Sequence, residues 1–198
     1  MNKYEAIESK NQFIDMALVI LDMQNDAMDI VPTGKSVIPT IQTVLNTCRQ
    51  KNIQVIHKKR VHREDGIDVE RFRIKLFNNK PFVVEGTHGA KIINELKPIK
   101  GEAVVIGTRF SGFFQTDLQQ ILTRLGIKTL IVCGIQTPNC IRATITNAIA
   151  YDYDVILLRD ATAAQTPEIH EANIIDIKNM GVSIMTSSEF FHSLEQVK

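Results

Sequence analysis

Short apolar runs alternate with longer amphipathic segments along most of the chain. The apolar runs are rich in β-branched residues and bounded by polar sequence, which is typical of buried parallel strands. Six runs of this kind occupy residues 17–22, 53–58, 103–107, 128–134, 154–160 and 182–186. Apolar residues at helical spacing predict the intervening helices, over residues 36–51, 90–96, 113–125, 138–151 and 167–180.

Strand–helix alternation at this spacing predicts right-handed crossovers and a mostly parallel sheet with helices on both faces. The fold class is therefore a three-layer α/β/α, doubly wound, six-stranded architecture. Residues 59–87 are polar, irregular and too short for a separate domain, so residues 1–198 are expected to form one domain. In such sheets the chemistry collects where the strands end, near a topological switch point.

Composition narrows the class of protein. The net charge of +1 is unlike the basic balance of a nucleic-acid binder. No apolar run reaches the roughly 18 residues that cross a bilayer, and the polar first twelve residues carry no secretion signal. Three cysteines do not make a disulfide framework, so a reducing cytoplasm is expected. Of these, Cys48 and Cys133 fall on apolar faces and are predicted to be structural.

The third cysteine has a different setting. Cys140 closes the segment GIQTPNC, directly after the fourth predicted strand. Thr137 is a good N-cap residue and Pro138 a good first helical residue, which places Cys140 in the first turn of a helix. The helix dipole and free N–H groups there would lower the pKa of the thiol and could hold an oxyanion. Cys140 is a candidate nucleophile, with a small buried hydrophobe as the alternative.

Asp22 ends the first predicted strand and is a candidate general base. It would face Cys140 if the first and fourth strands are neighbours. An Asp that merely starts a turn is the alternative. Asp26 and Asp29 compete for the role but lie further into the loop.

Together, Asp22 and the G-x-x-T-x-x-C pattern resemble the isochorismatase-like cysteine hydrolases, which include nicotinamidases, N-carbamoylsarcosine amidases and ureidoacrylate amidohydrolases. The resemblance covers about residues 17–185. It implies that the predicted three-layer fold is the Rossmann-like fold of these hydrolases. Further matching stretches are EGTHGA (85–90), TRFSGFFQTDL (108–118), GIQTPNCIRAT (134–144) and DATAAQTPEIH (160–170).

The resemblance implies a mechanism. In such hydrolases an Asp takes the thiol proton, a Lys holds the Asp and the thiolate, and the thiolate attacks a carbonyl to give an acyl-enzyme. Asp22 matches the base and Cys140 the nucleophile. The family also places a cis peptide before the nucleophile, here at Ile135–Gln136. This bond would aim the N–H groups of Gln136 and Cys140 at the oxyanion.

One residue departs from the family pattern. The family's catalytic Lys ends the strand before TRFSGFF, where this chain has Gly107. Without a cation the pKa of Cys140 would be higher. Three explanations are open: a deliberate substitution, a natural loss that leaves a slow or inactive homologue, or a replacement cation from Lys58, Lys59 or Arg109. The first two are favoured.

The metal site of the nicotinamidases also has no counterpart. Their Asp-x-His motif follows the second strand, where this chain reads RVH with Arg60 in the Asp position. His57 and His62 alone are too few for a metal and are expected to be polar loop residues. We therefore expect no metal, and no redox cofactor.

Several side chains are candidates for binding the substrate. Arginines near the crevice would suit a carboxylate or a ureido group because a guanidinium binds such groups in a bidentate manner. The predicted contacts are Arg60, Arg109, Phe113 and Asn139, with Arg73 also near the crevice. Solvated arginines and a core role for Phe113 are the alternatives. Family members are usually dimers or larger, and apolar residues of 67–84 could serve a homo-oligomer.

The function expected from these residues is thiol-dependent hydrolysis of a small C–N substrate, such as a ureido, carbamoyl or carboxamide compound. A catalytically inactive homologue that acts as a binding or scaffold protein is the second hypothesis, supported by Gly107. A vinyl-ether hydrolase of the isochorismatase type is the third. Cys140 argues against it, because that subgroup replaces the cysteine.

Overall fold

A six-stranded parallel sheet lies at the centre of the computed structural model, which describes Phe13 and residues 15–196. The strands run in the spatial order β3-β2-β1-β4-β5-β6, so the order reverses between β1 and β4. Their bounds are β1 (Met16–Leu21), β2 (Gln54–Arg60), β3 (Ala103–Gly107), β4 (Thr129–Ile135), β5 (Asp154–Ala163) and β6 (Ser183–Met185). The crevice outside this switch point is therefore formed by the segments that leave β1 and β4.

Helices cover both faces of the sheet, which confirms the predicted three layers. They are α1 (Asn25–Ile30), α2 (Ile38–Gln50), α3 (Ile74–Asn79), α4 (Leu118–Arg124), α5 (Arg142–Ala150), α6 (Pro167–Asn179) and α7 (Ser187–Gln196). Side chains of β1 alternate between two cores. Leu18 and Ile20 belong to the core that includes residues of α2 and α7. Val19 and Leu21 belong to the core that includes residues of α4, α5 and α6.

All six predicted strands form, but β2 extends two residues beyond its predicted end. The polar run from residue 59 indicated a loop, yet Lys59 and Arg60 continue the ladder with β3. Side chains two residues apart in a strand share a face. Lys58 and Arg60 therefore lie on the same buried face as Ile56. His57 is likewise a buried strand residue, so its assignment to a loop was wrong.

Two predicted helices were wrong in extent. Residues 90–96 contain only a short 3₁₀ turn, Asn94–Leu96. Their backbone is hydrogen-bonded to the segment after β1 instead. Asn25 N–H donates to the Lys91 carbonyl, and Ile93 N–H donates to the Met23 carbonyl, both at 3.1 Å. The helix predicted from Phe113 begins only at Leu118. Gln115 has a φ of +54°, which a right-handed helix does not accommodate.

Three helices were not predicted from the sequence: α1, α3 and the C-terminal helix α7. Helix α3 lies within residues 59–87, which were expected to be irregular. Across the part of the chain that the structure describes, no helix combines the length and the apolar character needed to cross a membrane.

Candidate active site

Asp22 follows β1 directly and turns the chain out of the sheet. Its φ is +53°, a left-handed conformation that Asp tolerates better than most residues. Its N–H donates to the carbonyl of Lys58 at 2.8 Å. The residue is only 6% exposed. This turn places a buried carboxylate at the switch point, as the sequence predicted.

Lys58 brings a buried ammonium group to that carboxylate. It lies beside Leu21 in the β1–β2 register, one residue before Asp22. Its Nζ donates to the two carboxylate oxygens of Asp22 at 2.9 and 3.1 Å and to the carbonyl of Arg109 at 3.2 Å. These bonds use all three ammonium donors. Because Lys58 is 1% exposed, water weakens this ion pair much less than it would at the surface.

Cys140 lies across the switch point, in the turn that follows β4. The Ile135–Gln136 peptide is cis, as the family resemblance implied. Residues 137–141 then form a single π-helical turn before α5. Cys140 and Asp22 line the same cleft, and the Asp22 carboxylate is near enough to raise the pKa of the thiol. The predicted convergence of sulfur and carboxylate is therefore present.

The start of this turn differs from the prediction. Gln136 occupies the N-cap position and makes no side-chain cap, so the assignment of Thr137 as N-cap was wrong. The Thr137 hydroxyl is instead hydrogen-bonded to Nδ1 of His170 at 2.9 Å. His170 of α6 is half-buried and ties that helix to the Cys140 turn.

The electrostatics of the thiol also differ from the prediction. Burial raises the pKa of Cys140 to about 12, and the Asp22 carboxylate contributes to the rise. Lys58 and Arg60 act in the opposite direction but do not outweigh these effects. The expected depression of the thiol pKa by the helix N-terminus was therefore wrong. At neutral pH the resting group is therefore a neutral thiol, in the same cleft as the Asp22 carboxylate.

A cleft of about 450 Å³ opens onto these groups. Of the predicted site residues, Asp22, Arg60, Gln136, Asn139 and Cys140 all line it. Most of the other lining residues are apolar. They are Gln24, Ala27, Ile30, Val31, Arg73, Phe82, Val83 and Ile135. Of these, only Arg73 was expected near the crevice. Cys140 therefore lines the cleft although the residue is only 7% exposed.

Two predicted substrate contacts lie elsewhere. The Arg109 guanidinium donates to the Asp68 carbonyl at 2.6 Å and lines a separate depression beside Phe110. Phe113 is buried in the core shared with α4 and α5. Apolar burial decided its position, so its assignment to the pocket was wrong.

The competing carboxylates are also placed away from the cleft lining. Asp26 accepts the N–H of Val83 at 2.7 Å and thereby holds the loop that forms one wall. Asp29 is exposed on α1.

Gln24 fixes the loop after β1 and was missed by sequence reasoning. This fully buried side chain donates to the Arg60 carbonyl at 2.7 Å and to the Ala90 carbonyl at 2.9 Å. Its Oε1 accepts the Arg60 N–H at 2.8 Å. A polar residue directly after a buried strand was the only sequence signal for this role.

Comparison with known proteins identifies the family. Residues 16–189 match the family model of the isochorismatase domain. The chain belongs to the isochorismatase family. The crystal structure of an isochorismatase family protein from Desulfovibrio vulgaris subsp. vulgaris str. Hildenborough is 40% identical and has a TM-score of 0.87, covering 92% of this chain and 99% of that one. The predicted family and fold are therefore confirmed.

Two curated relatives carry functional names. A protein from Arabidopsis thaliana named a probable inactive nicotinamidase is 42% identical over 187 residues, which are 90% of this chain and 95% of that protein. The ureidoacrylate amidohydrolase of Rhizobium rhizogenes strain K84 is 26% identical over 207 residues, covering 92% of this chain and 84% of that enzyme.

Gly107, the position of the isochorismatase-family lysine, lies at the end of β3 beside Arg60 of β2. A Cβ at this glycine would lie 2.9 Å from Cγ2 of Thr116 and 3.8 Å from Cε of Lys58. The space that a side chain at 107 would enter is therefore already bordered by the Lys58 side chain. Of the three cations considered as replacements, Lys58 is hydrogen-bonded to Asp22.

The second histidine and its surroundings do not fit a metal. His62 is packed against the edges of Phe77 and Phe82, and its Nδ1 lies 3.4 Å from a carboxylate oxygen of Asp68. Within Phe13 and residues 15–196, no three His, Cys, Asp or Glu side chains form a group suited to a metal. Arg60, which the sequence resemblance put at the Asp position of the nicotinamidase motif, is a buried guanidinium.

The raised pKa of Cys140 predicts a distinctive alkylation profile. Iodoacetamide reacts with the thiolate, so its second-order rate should rise about tenfold per pH unit from pH 7 to 10 without a plateau. Mass spectrometry at each pH should find the label on Cys140, since Cys48 and Cys133 have no exposed surface. A rate that levels off by pH 10 would show an ordinary or depressed thiol pKa.

Proposed function

We propose that this chain is a thiol-dependent amidohydrolase that cleaves a C–N bond of small ureido, carbamoyl or carboxamide compounds. The observation that carries the proposal is the contact of Lys58 Nζ with both oxygens of Asp22, in the cleft that Cys140 lines. Asp22, Lys58 and Cys140 would be the base, the cation and the nucleophile on which hydrolysis in this family relies. The usual position of the lysine is occupied by Gly107.

The resting arrangement suggests how the reaction begins. Asp22 takes the proton of the Cys140 thiol as the sulfur attacks the carbonyl carbon, so no free thiolate is needed beforehand. The Lys58 ammonium, hydrogen-bonded to Asp22, offsets the negative charge that moves between the sulfur and the carboxylate. The carbonyl oxygen gains a negative charge, and the N–H groups of Gln136 and Cys140 would donate hydrogen bonds to it.

The second half of the proposed reaction regenerates the free thiol of Cys140. Asp22 returns its proton to the leaving nitrogen, the C–N bond breaks, and a thioester remains on Cys140. Water then attacks the thioester carbonyl while Asp22 takes a proton from it. The C–S bond breaks, and the thiol recovers its proton from Asp22.

The names of the relatives support two different outcomes. The Rhizobium relative is named as an amidohydrolase of a ureido compound, which agrees with the proposal. The Arabidopsis relative is named as inactive, which agrees with a binding or scaffold protein. The buried Lys58–Asp22 pair favours hydrolysis, because a scaffold has no need to retain a satisfied ammonium beside a cleft thiol.

A substrate panel tests the proposal. Purified protein is incubated with primary carboxamides, ureas, carbamates and N-carbamoyl compounds, and ammonia release is measured. We expect turnover of at least one class, and loss of that turnover once Cys140 is fully alkylated. If no class releases ammonia above the rate with alkylated protein, the scaffold hypothesis replaces this one.

A further inference from the structure

Two guanidinium groups meet on one aromatic ring behind the cleft. The Cζ atoms of Arg60 and Arg73 lie 5.0 and 4.8 Å from the centroid of the Phe110 ring. Both arginines also line the cleft that contains Cys140. Such stacking fixes the plane of a guanidinium and leaves its N–H edges for hydrogen bonds.

One nitrogen of the Arg60 guanidinium has no hydrogen-bond acceptor among the residues that the structure describes. Its Nη1 donates to Oε1 of Glu70 at 2.8 Å. The ion pair is monodentate, and Arg60 Nη2 is buried with no hydrogen-bond partner among the residues that the structure describes. Arg60 itself is 4% exposed. Because an unsatisfied buried donor is costly, this nitrogen is suited to an acceptor that arrives with a ligand.

The cleft also has an excess of positive charge. Among the lining residues in the described part of the chain, Arg60 and Arg73 are cationic and Asp22 alone is anionic, and Asp22 is already paired with Lys58. Glu70, which does not line the cleft, forms an ion pair with Arg60 and offsets its positive charge. Burial, together with repulsion from Arg60, lowers the pKa of Arg73. One monoanionic ligand would balance this excess.

We propose that the substrates of this site carry a carboxylate, which Arg60 and Arg73 bind while Cys140 attacks the amide or ureido carbonyl. The inference rests on the proposed function and narrows it. A carboxylate matches a guanidinium in geometry and charge. The apolar walls from Ile30, Val31 and Phe82 suit a short carbon segment between the carboxylate and the carbonyl. The ligand class is therefore small ureido or carboxamide acids, in place of the metal-bound neutral amides of the nicotinamidases.

Matched substrates test this assignment. Ureidoacetate and 3-ureidopropionate are compared with their methyl esters, which keep the ureido group and remove the charge. We expect wild-type kcat/KM for the acids to exceed that for the esters by at least about thirtyfold. Arg73→Gln should lower kcat/KM for the acids by about the same factor and change the values for the esters by less than about threefold.

Arg71→Gln is the matched control, since Arg71 lies on the same 3₁₀ turn, is exposed and does not line the cleft. It should leave all constants unchanged. Equal kcat/KM for acid and ester in the wild type, or an equal loss for both in Arg73→Gln, would overturn the inference.

Calorimetric titration of ureidoacetate into Cys140→Ala separates this inference from the proposed function. Binding that Arg73→Gln weakens, with no ammonia from any panel compound, would retain the carboxylate site and reject hydrolysis. Ammonia release from neutral amides, with neither binding nor hydrolysis of the acids, would retain hydrolysis and reject the carboxylate site. Absence of both binding and hydrolysis would reject both.

Discussion

Substitution of Lys58 by Met should lower kcat for C–N hydrolysis by about 10²–10³-fold, because it removes the cation that stabilises Asp22 and the sulfur as charge moves between them. Met keeps most of the volume of the buried stem. The measurement is steady-state ammonia release on the best substrate from the panel. Iodoacetamide labelling of Cys140 should slow as well, since Lys58 lowers the pKa of this thiol.

Lys59→Met is the matched control for Lys58→Met. Lys59 is the next residue of β2, points to the other face of the sheet and is only partly buried. It should retain wild-type turnover. Loss of one partner of a buried ion pair costs about 3–5 kcal/mol of stability, so folding is checked by circular dichroism at the assay temperature. Full activity in folded Lys58→Met would show that the Asp22–Lys58 pair is only structural.

Replacement of Cys140 by Ala should reduce turnover at least about 10⁴-fold, because no other group in the cleft can form the thioester. The expected residual rate is that of the alkylated wild type. Cys140→Ser should be nearly as slow, since a Ser hydroxyl is a far weaker nucleophile than a thiolate in the same position.

Cys48→Ala is the control for this substitution. Cys48 is also a buried free cysteine, but it belongs to the core beneath α2, away from the cleft. It should cost some stability through a small cavity and leave kcat unchanged. Undiminished turnover in Cys140→Ala would end any role for the thiol in catalysis.

Much of the fold follows from the sequence because its strands are buried on both faces. The runs that became β1 and β4 are nearly all apolar and rich in β-branched residues, a pattern that few other elements produce. The segments that were misjudged depend on tertiary hydrogen bonds instead. Residues 90–96 pair with the loop after β1, and Gln115 delays α4 through its left-handed backbone. Neither effect leaves a periodic pattern.

The site residues that could be predicted from the sequence are those that directly follow a strand. Asp22 and Cys140 follow β1 and β4, and the parallel sheet brings them together whatever the details of the loops. Lys58 ended the second predicted strand and was one of three possible replacement cations, but nothing in the pattern singled it out from Lys59 and Arg109. Extending the period of two from Ile56 would have placed Lys58 on the buried face beside Leu21.

A buried lysine on β2 changes how Gly107 is interpreted. The family pattern assigns the cation to the end of β3, and its absence there suggested a slow or inactive protein. In this structure the neighbouring strand delivers an ammonium group to the same carboxylate. Loss of the lysine at one position and presence of a lysine on the adjacent strand are compatible with a working site.

The turnover of Gly107→Lys, compared with wild type and with Gly107→Ala, decides whether Lys58 already supplies the catalytic cation. Both substitutions add a Cβ close to Thr116, and only Lys adds a second ammonium beside Lys58. If Lys58 holds Asp22 and the sulfur, Gly107→Lys gains nothing and should be no faster than either protein. An increase of about tenfold or more over wild type would show that the cation was missing and that Lys58 does not replace it.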